Sequence, residues 1–351
     1  MKSLKIISII LVVFLKSLYS TEFTTEKQNL QKISLNGRIH FQNNLLKSKD
    51  SHTVNAWMLR RVLLGIKANL THNSTGEIAG DWAGNSGGKL NKASISYSPR
   101  ISTEIEFGYL KVHVGQELTT SSIKLPVIER SVLSRYFENQ QRLGGKMVGI
   151  FVTQSWDSIQ WRGSISNSDQ GKVDADFGGK EFALTTDFGF SKKIEAGEYS
   201  FGIMLASLSK AARGIHDASI GTIYTDFHWK RFQIKAETLV SDFKNEFGFM
   251  SNPWGAQIMP LLKINESIDF VGRFAYLASD ENPVQLDKTY KGSKKGAHNE
   301  FESVHSFYFG SNFYRYNNDL KFSIGYDLAH YKNAEASSRV HGIRSRIQLL
   351  F

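Results

Sequence analysis

Basic and apolar residues alternate along much of this chain, most plainly at its end, where Ile343, Arg344, Ser345, Arg346, Ile347, Gln348, Leu349, Leu350 and Phe351 follow one another. In an extended strand every second side chain shares a face. Arg344, Arg346 and Gln348 therefore stand on one face, and Ile343, Ile347, Leu349 and Phe351 on the other. Guanidinium and ammonium groups fixed in a row on one face attract oxyanions through charge-assisted hydrogen bonds. The same alternation places Arg38, Arg61, Lys67, Lys92, Arg162, Lys235, Arg273 and Lys321 on polar faces of extended segments. Glu77, Asp81, Glu237, Asp269 and Asp327 share those faces. Charges of both signs can pair and merely solvate a surface, so a row of cations is a candidate anion path only where a narrow, low-dielectric passage focuses its field.

Other chemistries have less to work with. His113, His216, His228, His305 and His341 are scattered among many serines and acids. Hydrolysis needs a nucleophile, a base and an orienting group within hydrogen-bond reach, and no compact motif supplies them, so no catalytic residue and no enzyme activity is expected. The histidines lack ligand spacing and the chain has no cysteine, so neither a metal nor any other cofactor is expected. Lys291 to Lys295 is a basic cluster in a predicted external loop, better suited to lipopolysaccharide contact or solubility than to nucleic acid.

The elements that would position the cations are strands. Ile33, Leu35, Gly37, Ile39 and Phe41 oppose Ser34, Asn36, Arg38, His40 and Gln42, while Val62, Leu64, Ile66, Ala68 and Leu70 oppose Arg61, Gly65, Lys67 and Asn69. Leu320 to Leu328 and Ile268 to Tyr276 alternate in the same way. Short polar connections are predicted at His72 to Thr75, Ser98 to Arg100, Trp156 to Ser158, Lys230 to Arg231, Asn265 to Ser267 and Tyr316 to Asp319. Longer ones are predicted at Leu45 to Asn55, Gly115 to Arg142, Asn167 to Gly178, Ser209 to Asp217, Ser241 to Asn252 and Ser279 to Glu302.

Short turns at one end and long loops at the other describe an all-β, transmembrane antiparallel β-barrel with lipid outside, water inside and its short turns periplasmic. About sixteen strands are expected, leaving about 21 residues for each strand with its connection. Phe107, Tyr109, Trp161, Phe227, Trp229, Phe313 and Tyr314 lie near predicted strand ends, where rings mark the headgroup level. Strict alternation from Ile105 through Phe107 and Tyr109 would send Lys111 and His113 outward, so a bulge or an exit from the membrane is required there.

Export fits the other terminus. Met1, Lys2 and Lys5 precede an apolar stretch from Ile6 to Leu15, and Ser17 and Ser20 are small residues suited to cleavage. Residues 1–20 read as a signal peptide and 21–351 as one barrel domain. Removing three lysines lowers the formal charge of +10 by three, to +7. Five prolines against 29 glycines, with 24 Phe, 13 Tyr and 6 Trp, suit many strands joined by tight turns.

The run Leu59, Arg60, Arg61, Val62, Leu63, Leu64, Gly65 resembles the paired-arginine second strand of the phosphate-selective porins of the O and P type. Leu110 to Gln116, Leu118 to Ser122 and Val127 to Ser131 are similar to that family's segment entering and crossing its third loop, and Gly325, Tyr326 and the last five residues match its closing hairpin. The resemblance implies a sixteen-stranded, trimeric channel in the outer membrane of a Gram-negative bacterium, with the third loop folded into the pore. The family's phosphate path uses a ladder of arginines and central lysines, and its third-loop lysine is matched here loosely, by Lys124.

The long connection from Gly115 to Arg142 is the candidate constriction, offering Thr119, Thr120, Ser121, Ser122, Lys124, Glu129 and Arg130. The expected function is passive diffusion of small hydrophilic anions, phosphate included, with hydroxyls replacing part of the hydration shell. A general porin with a mixed-charge lumen, an outer-membrane hydrolase and a plugged barrel are the alternatives. Ile347, Leu349 and Phe351 form the expected signal for the barrel assembly machinery.

Overall fold

Alternation is realised around a complete circle. The computed structural model describes residues 32–49, 51–83, 87–168, 182–209, 215–245, 247–290, 300–316 and 318–351. The wall consists of β1 (Lys32–Ser48), β2 (Ser51–Thr71), β3 (Ser74–Asp81), β4 (Lys89–Arg100), β5 (Thr103–Lys111), β6 (Lys146–Trp156), β7 (Ile159–Ser166) and β8 (Ala183–Ile194). It continues through β9 (Gly197–Ser209), β10 (Ile215–Trp229), β11 (Phe232–Asn245), β12 (Trp254–Lys263), β13 (Ile268–Ala278), β14 (Ser303–Arg315), β15 (Leu320–Lys332) and β16 (Ser337–Leu350). Each strand pairs antiparallel with the next, and β16 returns to β1 with Arg38 opposite Leu350 and Ser48 opposite Val340, closing a sixteen-strand barrel. Closure leaves no sheet edge, so every wall strand has its backbone groups paired on both sides, as a bilayer requires.

The two faces are the ones the sequence predicts. Leu35, Leu64, Ile66, Phe270, Phe322, Ile324, Ile343, Ile347 and Phe351 are exposed on the outside, while Gln42, Asp269, Arg273, Lys321, Asp327, Arg344, Arg346 and Gln348 are buried inside. Trp161, Phe227, Trp229, Phe107 and Phe313 fall on the outer face. Two expected girdle rings do not: Tyr109 lines an interior cavity, and the Tyr314 hydroxyl donates to the inward carboxylate of Asp269 at 2.7 Å.

Five of the six predicted short turns are where expected, the turn expected at Ser98 to Arg100 lies just beyond it at 101–102 because β4 runs to Arg100, and a seventh stands at 195–196; the side chains of Asp157 and Lys230 are accommodated at φ 34° and 53°. The loops differ more. The predicted long connection from Leu45 to Asn55 is instead the top of a hairpin whose ladder runs to Ser48 opposite Ser51, and β11 extends through the expected loop start at Ser241 to Asn245. Cross-strand pairing favours extending these segments above the bilayer despite their polar residues. The signal stretch, residues 1–20, and the Lys291–Lys295 cluster lie outside the described residues.

Inside the barrel, apolar side chains of the third loop, Leu118, Leu133, Tyr136, Phe137 and Leu143, pack on Leu239, Phe243, Leu277, Val304 and Tyr331 of the wall. The seventh loop, predicted to be external, also turns inward and contributes Val284, Leu286, Tyr290 and Phe301 to that cluster. Tyr136 donates to the Asn282 carbonyl at 2.9 Å and Gln140 accepts from Gln285 N at 2.8 Å, which joins the two loops. Much of the bore is therefore filled by apolar packing, and open space lies toward β1–β6.

Candidate functional site

The third loop begins where β5 ends. It holds two single-turn helices, α1 (Gln116–Thr119) and α2 (Val132–Arg135), and a wide turn over Tyr136–Gln140. Its position depends on buried carboxylates. Glu237 of β11 accepts from the backbone N–H groups of Gln116 at 2.5 Å and Glu117 at 3.3 Å, the free donors that open α1. Glu117 in turn accepts from Ser131 Oγ at 2.8 Å, Ser134 Oγ at 2.5 Å and Arg273 Nη1 at 3.0 Å. Glu129 receives Arg60 Nε at 2.9 Å, Arg346 Nη2 at 3.3 Å, Gln42 Nε2 at 3.1 Å and a close bond from Arg135.

Burial alone would raise the carboxyl pKa values of Glu117, Glu129 and Glu138. It is outweighed by Arg60, Arg135 and Arg346 around Glu129, which holds that group well below the ordinary carboxylate range. Arg273 and the serine donors likewise lower Glu117. Arg130, Lys111 and Arg135 overcome the burial of Glu138 and bring it down to about 2. All three stay ionised at neutral pH, and each holds cations of the wall or loop in place.

The predicted cation row accordingly divides by role. Arg273, Lys321 and Arg346 fasten the loop: Arg273 donates to the Glu129 carbonyl at 2.8 Å, Lys321 to the Ile123 and Leu125 carbonyls at 3.1 Å, and Arg346 to Glu129. Arg344 is enclosed between Asp327 at 2.9 Å and Asn44 at 3.0 Å, with the Tyr290 ring over it. Lys92 pairs with Glu77 at 2.9 Å, Lys235 with Asp226 at 3.1 Å, and Arg162 with Asp187. Lys67 is exposed opposite Glu77 near the periplasmic end of β2. Of the ten wall cations, Arg38 and Arg61 line the open cavity.

That cavity, about 540 Å³, lies between the third loop and the β1–β6 wall. Arg38, Arg61, Lys89, Lys111, Arg130, Arg142 and Lys146 line it, against the carboxylates of Asp81 and Glu138. Asp81 is engaged by Arg61 at 2.7 Å, and Glu138 lies 3.7 Å from both Lys111 and Arg130. Basic groups exceed acids even after these pairs are set aside.

Thr119, Thr120, Ser121 and Ser122 all border the cavity, but their hydroxyls are not equivalent. Thr119 and Thr120 donate to the Gln116 carbonyl at 3.0 and 2.8 Å, which uses their protons. Ser122 Oγ accepts from Arg38 Nη1 at 2.9 Å; Ser121 is exposed. Arg130 donates to the carbonyls of Glu117 at 3.2 Å, Leu118 at 3.3 Å and Thr120 at 2.9 Å, so it shapes the loop as well as charging the cavity. Lys124 is exposed and is absent from the cavity lining, and Glu129 is buried among arginines as a fastener. Neither fits the constriction role expected of it.

Sequence reading misses Lys89, Lys111, Arg142, Lys146 and Arg60. The Arg60 signal is a β-bulge: His40 pairs with Arg61 and the next residue, Phe41, with Leu59, so both arginines turn inward where alternation allows one. Lys111 reaches the cavity because alternation fails at Gly108, φ 143°, where a Cβ would lie 2.0 Å from the Ala93 carbonyl oxygen. Phe107 before it faces outward, whereas Tyr109 and Lys111 after it line the cavity.

His216 pairs with Asp217 at 2.9 Å and His341 with the Tyr326 hydroxyl at 2.9 Å. Burial and Arg162 push the His113 imidazole down to about 3. Among the described residues no three metal-binding side chains lie together.

An apolar exterior, a charged interior and an inward third loop on a closed sixteen-strand barrel define an outer-membrane porin. Solved structures share this architecture. The outer membrane channel DcaP of Acinetobacter baumannii is 13% identical over 94% of this chain and 100% of its own, with a TM-score of 0.67. An anion-selective porin from Comamonas acidovorans is 11% identical over 91% and 99%, with a TM-score of 0.65, and OmpT of Vibrio cholerae, solved in a trimer form, is 10% identical over 90% and 99%, at 0.59. No curated protein matches the sequence significantly. The chain belongs to the phosphate-selective porin O and P family, whose model matches residues 33–257.

Proposed function

We propose that this porin passes small hydrophilic anions, phosphate among them, by passive diffusion through the cavity between the third loop and the β1–β6 wall. The carrying observation is the excess of basic over acidic side chains around that 540 Å³ space. Facing a water-filled passage in a low-dielectric wall, they lower the electrostatic barrier for an anion and raise it for a cation. Arg38 and the Ser122 hydroxyl, already joined at 2.9 Å, offer adjacent donors for one oxyanion. Lys111 and Lys146 provide a further pair, opposite one another on β5 and β6. The cluster contains several cations without a single enclosing cage, which favours passage over tight retention.

The test is single-channel recording in a planar bilayer under a potassium chloride gradient, with phosphate added to one side. A reversal potential showing anion preference, with current reduced by phosphate, supports the proposal. Weak or cationic preference without block means a general porin, and absence of conductance means that the apolar packing of the third and seventh loops plugs the barrel. Export with loss of residues 1–20, delivery through the barrel assembly machinery by Ile347, Leu349 and Phe351, and assembly as a homotrimer belong to the same proposal. The trimer form recorded for OmpT of Vibrio cholerae supports the last.

A further inference from the structure

The register of the last strands orders the barrel's outer face into horizontal rows. One row runs Phe309, Tyr326, Ile343, Leu45, each paired with the next across β14, β15, β16 and β1. All four are large and exposed, as a lipid-facing band requires. Two residues higher, about 7 Å toward the extracellular end, the row runs Phe307, Leu328, His341, Lys47. Above that come His305, His330 and Arg339 in cross-strand register, with Lys49 donating its backbone N–H to the Arg339 carbonyl at 3.0 Å. The outer face thus changes from apolar to basic within two steps along the strands.

These basic groups surround a hollow. Lys47, Lys49, His330, Arg339 and His341 line a surface cavity of about 350 Å³, outside the barrel. The charged groups acting most on His330 are His305, Arg339, Lys332 and Lys49, all basic. Among the described residues no carboxylate forms an ion pair with Lys47, Lys49 or Arg339. Lys49 Nζ donates to the Ser337 carbonyl at 3.3 Å. On β13 and β12 the aromatic rings of Tyr276 and Trp254 lie 5.2 Å apart in a tilted pair, with His305 stacked on Tyr276 at 6.0 Å, marking the headgroup level.

We infer that this hollow is a binding site for the phosphate groups of an outer-leaflet glycolipid of the lipopolysaccharide type. Lys47, Lys49 and Arg339 meet the phosphates, and the acyl chains lie on Leu45, Ile343 and Phe309 directly beneath. Two features favour a phosphorylated lipid over a free anion: the cations stand immediately above an apolar band, and they open to the membrane side of the wall, away from the lumen. Arginine and lysine near a membrane surface each strengthen attraction to anionic headgroups.

The test uses folded wild-type protein and the variant Lys47→Gln/Lys49→Gln/Arg339→Gln in detergent, with native mass spectrometry reading bound bis-phosphorylated lipid A. Wild type is expected to retain lipid A at least about tenfold more tightly than the variant, and more tightly than it retains dephosphorylated lipid A. Excess inorganic phosphate should leave the bound lipid in place. The conservative variant Lys47→Arg/Lys49→Arg/Arg339→Lys should retain binding, and all variants should conduct as wild type, which certifies their folding and separates this site from the anion passage. Equal retention by the triple glutamine variant, equal retention of dephosphorylated lipid A, or displacement by inorganic phosphate would overturn the inference.

Discussion

Arg60 of the wall donates its Nε to the Glu129 carboxylate of the third loop at 2.9 Å, across 69 residues of sequence. Arg346 and Arg135 share the same carboxylate, so one acid is the common anion of three buried guanidinium groups. Breaking a buried pair from one side leaves the other charge uncompensated and costs about 3–5 kcal/mol. Glu129→Gln should therefore lower the denaturant midpoint of the folded barrel and make its open-channel current noisier as the loop loosens. Adding Arg60→Met should recover part of the loss. An unchanged midpoint and a quiet channel in Glu129→Gln would show that the loop is held by its apolar packing alone.

Docking of the third loop should weaken in acid. Glu117, Glu129 and Glu138 have carboxyl pKa values depressed in the docked state, Glu138 to about 2 against an ordinary 4.5. A depressed group stabilises the state that holds it above its free pKa and loses that contribution as pH falls through the depressed value. The contribution of these three carboxylates should be constant above about pH 5 and be lost between about 4.5 and 2, with Glu138 supplying about 3 kcal/mol of the change. Limited proteolysis of the third loop over that range measures it. Glu138→Gln should be less docked at pH 7 and show a shallower decline.

Charge in the cavity should count by position. Arg38, Lys111 and Lys146 border the open space, whereas Lys124 is exposed elsewhere on the same loop system. Arg38→Gln/Lys111→Gln/Lys146→Gln should move the reversal potential toward cations, because a solute in a focusing passage feels the nearest charges most. Lys124→Gln, removing one charge from outside the lining, should change it little. Equal shifts per charge from both variants would mean that net charge, and not the cavity, sets preference.

Legibility in the sequence followed the range of the interactions involved. The faces of Leu320–Leu328 and Ile343–Phe351 are properties of a two-residue period, so they were readable from a few consecutive residues. The Arg60 bulge is different, since it appears only when β1 is laid beside β2. Inward folding of the third loop was expected from resemblance. Its fastening by Glu237 and Arg273, each more than 100 residues away, has no local signature. The seventh loop was misread as external because its apolar residues Val284, Leu286 and Phe301 are too sparse to form a pattern, and gain meaning against Tyr331 and Val304.

Gly108 gives a backbone test of the cavity. Its φ of 143° and the 2.0 Å approach of a built Cβ to the Ala93 carbonyl oxygen leave no room for a side chain. Gly108→Ala must shift β4 against β5 and carry Lys111 with it. Reduced anion preference in a barrel that still resists unfolding in detergent is the expected result, whereas wild-type preference would show that Lys111 reaches the cavity without the kink.

Closure of the barrel depends on a contact at the other end of the passage. Gly37 donates its N–H to the Phe351 carbonyl at 2.7 Å and accepts the Phe351 N–H at 3.2 Å, adding a last pair beyond the β1–β16 ladder. The Phe351 ring lies on the outer face over Gly37, where a Cβ would sit 2.2 Å from the ring. Glycine here gives the terminal aromatic a seat in the lipid-facing wall, and a side chain would displace it while leaving the ladder from Arg38 onward intact. Gly37→Val should therefore reduce the yield of folded barrel in the outer membrane, measured as the heat-modifiable fraction on electrophoresis, as deletion of Phe351 should. Because both changes disturb one contact, the double variant should fold about as poorly as either alone, a departure from additivity larger than the about 0.5 kcal/mol seen for independent sites. Additive losses would mean that Phe351 acts in assembly through its recognition alone, and Gly37 through the strand.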